Sequence, residues 1–173
     1  MTNLTQAEFD AVVSLAMAND ERHAAFILFS YFHAARRQEA LALRGTDVVN
    51  GTVRFKRAKQ RKDAIVNVQP LFTRERELVE RYAAQAGSGR VFPYSAGYAS
   101  RMMRVYLTKA GAYTHARQKS LHSLRHSAGD KMYRANRDIV AVATWLGHKN
   151  IESSRRYTHL NDAEVNAMAV GAL

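Results

Sequence analysis

Tyr157 closes a segment that begins at Trp145 and carries Leu146-Gly147-His148, then Arg155, Arg156 and His159 around the tyrosine. A phenol hydroxyl is a usable nucleophile when nearby positive charge favours the phenolate, because its free pKa is about 10. The chain has 8 tyrosines, and most tyrosines serve packing, so this one gains meaning only from companions. The segment His122-Ser-Leu-Arg125-His126 supplies candidates. Positions three apart share a helix face, so His122 and Arg125 can address one ligand together. A guanidinium fork suits the non-bridging oxygens of a phosphate, and an imidazole can bond the phosphate or carry a proton. His122 and His126 as metal ligands are the rival reading, but neither a zinc-protease glutamate nor any cysteine accompanies them.

Two further segments fit phosphate chemistry. Arg36 follows a long apolar run, and Glu39 stands one turn on, placed either to orient that arginine or to form a plain structural ion pair. Arg54 to Lys62 holds six basic residues in nine positions. A basic hairpin of this kind either lies along a DNA groove, with one lysine reaching a phosphate as proton donor, or is an exposed charged turn.

The charge balance points the same way. Lys and Arg number 26 against 15 acids, a formal charge of +11. No acid occurs from Arg81 to Gly129, which holds Arg101, Arg104 and Lys119 among its cations, whereas Met1 to Ala35 carries four acids and one Arg. Segregation of this sort suggests a face for phosphates. Lys56, Arg57, Arg61, Lys62, Arg101, Arg104 and Lys119 are the expected DNA contacts. The absence of cysteine excludes disulfides, thiolate metal sites and a thiol nucleophile. No apolar stretch is long enough to span a membrane and no secretory leader is visible, so a cytoplasmic protein is expected.

These residues need a scaffold. Thr5-Gln-Ala-Glu8 reads as a capping box for a first helix, and Asn19-Asp20 ends it and caps a second. Ala24 to Ala35 is apolar nearly all round, the pattern of a buried helix. A short helix from Gln38 stops at Gly45. The period then becomes two, with Asn50-Gly51 as a tight turn and a returning strand ending at Pro70. Thr73 is expected to cap a helix to about Ala86. Helices follow over about 95–110, 122–135, 137–146, 150–157 and 161–170, with a basic loop at 111–120. The expected fold is mainly α with a small antiparallel β-sheet, one domain over 1–173.

Taken together, the four segments resemble the tyrosine recombinase (phage integrase) family, in the family's order, over about residues 4–161. Arg36, Glu39, Leu43 and Asp47 fall on its first box, His122 to Arg125 on its His-x-Leu-Arg, and Leu146 to His148 on its Leu-Gly-His, nine residues before Tyr157. Lys59 takes the place of the hairpin lysine, with Lys56 and Lys62 as alternatives. His33, Ala34 and Asn67 stand where the family has Thr, Gly and Pro, and Arg37 competes with Arg36. The resemblance implies the family's catalytic-domain fold and catalytic roles for Arg36, Lys59, His122, Arg125, His148 and Tyr157. It implies double-stranded DNA as substrate, a 3′-phosphotyrosyl intermediate, a tetramer on DNA from free monomers or weak dimers, no cofactor or metal, and a prokaryotic, phage or mobile-element origin. A separate N-terminal clamp domain is expected to be absent. Residues 159–173 are expected either to dock on a neighbouring protomer or to pack on their own domain. A type IB topoisomerase-like relaxing enzyme and a non-catalytic DNA-binding relative are the rival classes; a trapped protein–DNA adduct and strand exchange between two sites separate them.

Overall fold

The structure is a computed structural model and describes residues 3–55, 67–147 and 162–173. Its first helix, α1 (Gln6–Asn19), starts in the expected capping box: Thr5 accepts from the amide of Glu8, and Glu8 accepts from the amide of Thr5. Asp20 ends α1 and caps α2 (Glu21–Phe32) by accepting from the Arg22 amide. Ten of the twelve residues of α2 are buried, which makes it the central helix, packed against α1, α4 and α6. Aromatic rings fill the space around it: Phe9 stacks on Tyr31 with centroids 4.0 Å apart, and Phe32 on Phe72 at 4.7 Å.

Past α2 the chain turns sharply. Ala34 takes φ +45°, the left-handed conformation that L-residues avoid. That turn delivers Arg36 to the start of α3 (Arg37–Ala42). A 3-10 turn at Gly45–Asp47 follows, where a Cβ on Gly45 would meet the carbonyl oxygens of Ala83 and Gly87. Close backbone approach therefore requires glycine there.

The sheet is small and antiparallel, in the order β1 (Val48–Val49), β2 (Thr52–Phe55), β3 (Asn67–Pro70). Asn50 and Gly51, with φ of 50° and 71°, form the tight turn that the dipeptide announces. The pairing runs from Thr52 opposite Pro70 to Phe55 opposite Asn67. Helix α4 (Thr73–Ala86) has Phe72 as its cap position, not Thr73; Glu75 accepts from the Phe72 amide, so Thr73 is the first helical residue. Helix α5 (Ala96–Lys109) begins at the Ser95 cap, α6 (Leu121–Asn136) at Ser120, and α7 (Ile139–Leu146) at Asp138. Arg137, expected inside that last helix, is instead the left-handed end of α6. Helix α8 (Asp162–Ala172) packs on α6 and α7 of its own chain, with Val165 and Ala169 buried. Among the described residues no helix is long and apolar enough to cross a membrane.

Candidate phosphate-binding site

Two elements far apart in sequence, the start of α3 and helix α6, bring Arg36, His122 and Arg125 together. Arg36 sits in extended backbone just before α3, where Glu39 holds it twice: the Arg36 amide donates to Oε2 and its Nη1 to Oε1, both at 2.8 Å. Glu39 is 3% exposed, while the arginine side chain keeps 26% of its surface open. The carboxylate thus fixes the guanidinium from below and leaves its outer edge accessible.

The first turn of α6 supplies the other two. Ser120 caps it by accepting from the His122 amide, and no acidic residue occupies that turn. His122 is exposed, whereas Arg125 lies inward and is only 4% exposed. Its guanidinium donates through Nη1 to the Ala34 carbonyl at 2.5 Å and through Nη2 to the Leu146 carbonyl at 2.6 Å. One side chain therefore ties α6 to the turn before Arg36 and to the end of α7, just before His148.

Electrostatics report the convergence. Partial burial of the His122 ring, then the charges of His126, Arg125 and Arg36, hold its pKa below the ordinary imidazole value. Both guanidinium groups thus act on the ring and favour its neutral form. The His126 ring lies edge-on to it, with centroids 4.6 Å apart.

A cavity of about 540 Å³ opens over Arg36 and His122, walled by Arg36, Arg37 and Gln38 from α3 and its approach, Ser100 and Arg104 from α5, Tyr113 and Gln118 to Ser120 from the loop before α6, and Leu121 and His122 from the start of α6; Arg125 is not part of that wall. Arg104 lies over the Tyr113 ring at 5.6 Å. Arg37, the rival of Arg36, donates to Ser100 Oγ at 2.8 Å and bridges α3 to α5. Ser100, Tyr113 and Gln118 were not foreseen; only the polar, basic character of the 111–120 loop hinted at the last two. Arg101 is exposed on α5 but outside the cavity wall.

Lys119 departs from expectation. It borders the cavity but is 5% exposed, and its Nζ donates to Glu8 Oε2 at 2.5 Å. A cation buried in an ion pair with α1 does not present itself to DNA, so Lys119 is a structural tie. Lys56, Arg57, Lys59, Arg61, Lys62, His148 and Tyr157 lie outside the described residues. Among the described residues no group of three or more His, Asp or Glu side chains is placed to hold a metal ion.

The sequence profile of the phage integrase family matches residues 2–164. The chain belongs to the phage integrase family. Among the curated relatives of this integrase-family chain, the type 1 fimbriae regulatory protein FimE of Escherichia coli (strain K12) is 30% identical over 177 residues, covering 92% of this chain and 86% of FimE. Among solved structures, the integrase from mycobacterium phage Brujita superposes with a TM-score of 0.77 at 20% identity, over the whole of this chain and 58% of the phage protein. The XerH site-specific recombinase, solved bound to its difH substrate before cleavage, gives a TM-score of 0.68 at 20% identity, over 98% of this chain and 54% of XerH. The chain therefore spans a little over half the length of these two structural relatives, and they share its fold.

Proposed function

We propose that this integrase-family chain is a site-specific recombinase that cuts and rejoins double-stranded DNA through a 3′-phosphotyrosyl bond at Tyr157. The observation that carries the reading is the grouping of Arg36, His122 and Arg125 beside an open, basic cavity. A phosphate undergoing in-line displacement gathers negative charge on its non-bridging oxygens, and preorganised donors aimed there lower the barrier most. In this reading Arg36 and Arg125 neutralise that charge, while His122 and His148 bond the same oxygens. The Tyr157 oxygen attacks phosphorus, the bond to the 5′ oxygen breaks, and Lys59 gives that oxygen a proton. The phenol proton passes to a neutral acceptor, for which His122 is suited. The phosphodiester energy is kept in the protein–DNA bond, so a 5′ hydroxyl from a second strand reverses the step without ATP.

Exchange between two duplexes requires four cleavages, and one nucleophilic tyrosine per chain makes four protomers the natural assembly on DNA. Arg104, and on the hairpin Lys56, Arg57, Arg61 and Lys62, are proposed to contact the sugar-phosphate backbone, with Arg101 outside the cavity on the same α5 helix. XerH was solved on its own DNA substrate, which supports a DNA partner here. A prokaryotic or phage setting, with action in the cytoplasm, accords with the bacterial and phage relatives.

The test is a duplex nicked near the cleavage point, from which the released fragment diffuses away and strands the protein on DNA. The parent chain is expected to form a denaturation-resistant adduct and Tyr157→Phe none. Absence of adduct from the parent on DNA carrying its site would sink the proposal and favour a non-catalytic DNA-binding role.

A further inference from the structure

We propose that His33 is a positioning residue for the phosphate-binding arginines, acting by holding the Ala34 to Arg36 turn against strand β3 and helix α4. The inference rests on the reading above and adds to it a side chain which touches neither phosphate nor cavity.

His33 is fully buried. Its ring is enclosed by Phe29 at 4.5 Å, Phe72 at 5.9 Å and Trp145 at 6.4 Å between centroids. Both ring nitrogens are used. Nε2 lies 2.8 Å from Glu75 Oε1, and Nδ1 lies 2.8 Å from Gln69 Oε1. Glu75 lies in the first turn of α4 and has no exposed side-chain surface; its Oε1 also accepts from the Phe72 amide, and its Oε2 has no hydrogen-bond partner among the described residues. Gln69 lies on β3, the strand that follows the basic segment in the chain. One imidazole therefore joins α2 to β3 and to α4.

The next residue is the strained one. Ala34, at φ +45°, presents its carbonyl to Arg125 Nη1, and Arg36 follows two positions on. The backbone just before is held as well, since Trp145 Nε1 donates to the Phe32 carbonyl at 3.2 Å. Any swing of His33 is passed along the chain through Ala34 and Ala35 to Arg36, and through the Ala34 carbonyl to Arg125. Stability alone does not call for this arrangement. A buried carboxylate–imidazole pair with an unmet oxygen is no better for stability than packed apolar groups of the same volume. What two directional bonds supply, and apolar packing does not, is a fixed orientation. A displacement of about 1 Å at a phosphate-binding group can lower a rate by about 100-fold.

The experiment uses the full chain in three forms: parent, His33→Leu combined with Glu75→Gln, and Gln69→Met alone. The double variant removes the pair together while Gln at 75 still accepts from the Phe72 amide, and Gln69→Met breaks one bond only, so a folded variant is available if the first fails. Adduct formation is followed in single turnover, at saturating protein and as a function of protein concentration, with thermal unfolding alongside. Positioning predicts a saturating rate lowered by about tenfold or more, a half-saturating concentration within about twofold of the parent, and a folded protein. It also predicts that the defect shrinks on a neutral methylphosphonate at the cleavage position, where there is less charge for the arginines to meet. Saturating rates equal to the parent, or an equal defect on both substrates, overturn the role of His33 while leaving the proposed function in place. A parent that forms no adduct overturns both.

Discussion

Arg125 and Ala34 stand 91 positions apart in the chain and are joined side chain to backbone, Nη1 donating to the Ala34 carbonyl. The arginine proposed to bind phosphate is thereby also the tie that holds the turn before its fellow arginine.

Arg125→Ala is expected to carry two penalties. Two carbonyl acceptors lose their donor, which costs about 3 kcal/mol of stability, read by urea unfolding. Adduct formation on a nicked duplex is expected to vanish, while non-specific DNA retention in a gel-shift assay stays largely intact. Equal loss of both would reduce Arg125 to a phosphate anchor.

Ala34→Gly tests the strained turn. An L-residue in the left-handed region costs roughly 1–2 kcal/mol, and glycine escapes that at the expense of greater unfolded-chain entropy. The net expectation is a gain of about 0.5–1 kcal/mol in urea unfolding, with cleavage unchanged. Loss of stability would show that the turn is not strained.

Lys119→Met separates the buried lysine from the DNA-facing cations. Removing the partner of Glu8 is expected to cost about 2 kcal/mol, with DNA affinity within about twofold of the parent; Arg104→Ala should weaken binding and leave stability nearly untouched. For Glu8, burial alone would raise the pKa, but the bonds from Lys119 and Thr5 together outweigh it and hold the carboxyl below its ordinary 4.5. A depressed folded pKa means the pair's contribution is complete above pH 4.5 and disappears as pH falls through the folded value. Acid titrations of unfolding should therefore show less acid sensitivity in Lys119→Met than in the parent.

His122 gives a pH signature for the reaction. Burial and the neighbouring charges hold its pKa below the ordinary imidazole value, so the ring keeps its neutral form further into acid than a free imidazole does. The rate of adduct formation is expected to fall in acid, with its acid limb at a lower pH than a free imidazole would give. In His126→Gln one of the charges that depress the ring is gone, so the acid limb should move upward in pH. An unmoved limb would mean that another group controls it.

Local features were legible in the sequence. The Thr5–Glu8 box, the Asp20 cap and the Asn50-Gly51 turn are each decided within four residues. Thr73 misled for a reason equally local: Glu75 takes the Phe72 amide, which moves the cap back by one. Long-range matters stayed hidden. Lys119 read as a surface cation because its carboxylate lies 111 positions away. The anchors of Arg125 are backbone carbonyls, which carry no signature in residue type. Arg36 and Glu39 were legible as a pair, being three apart, but the accessible edge of the guanidinium emerges only from the cavity above it.

Among the described residues no carboxylate lines the cavity. Asp10 pairs with Arg74, Glu21 with Arg81 and Asp130 with Arg134, whereas no carboxylate among the described residues pairs with Arg101, Arg104, Lys109 or Arg117. Ionic strength should then act unequally on the molecule. Sodium chloride screens a handful of exposed ion pairs worth little each, so the melting temperature is nearly indifferent to it. The unpaired cations face the opposite case, because each one that meets a phosphate releases a condensed counterion, and association weakens steeply as the electrolyte is raised.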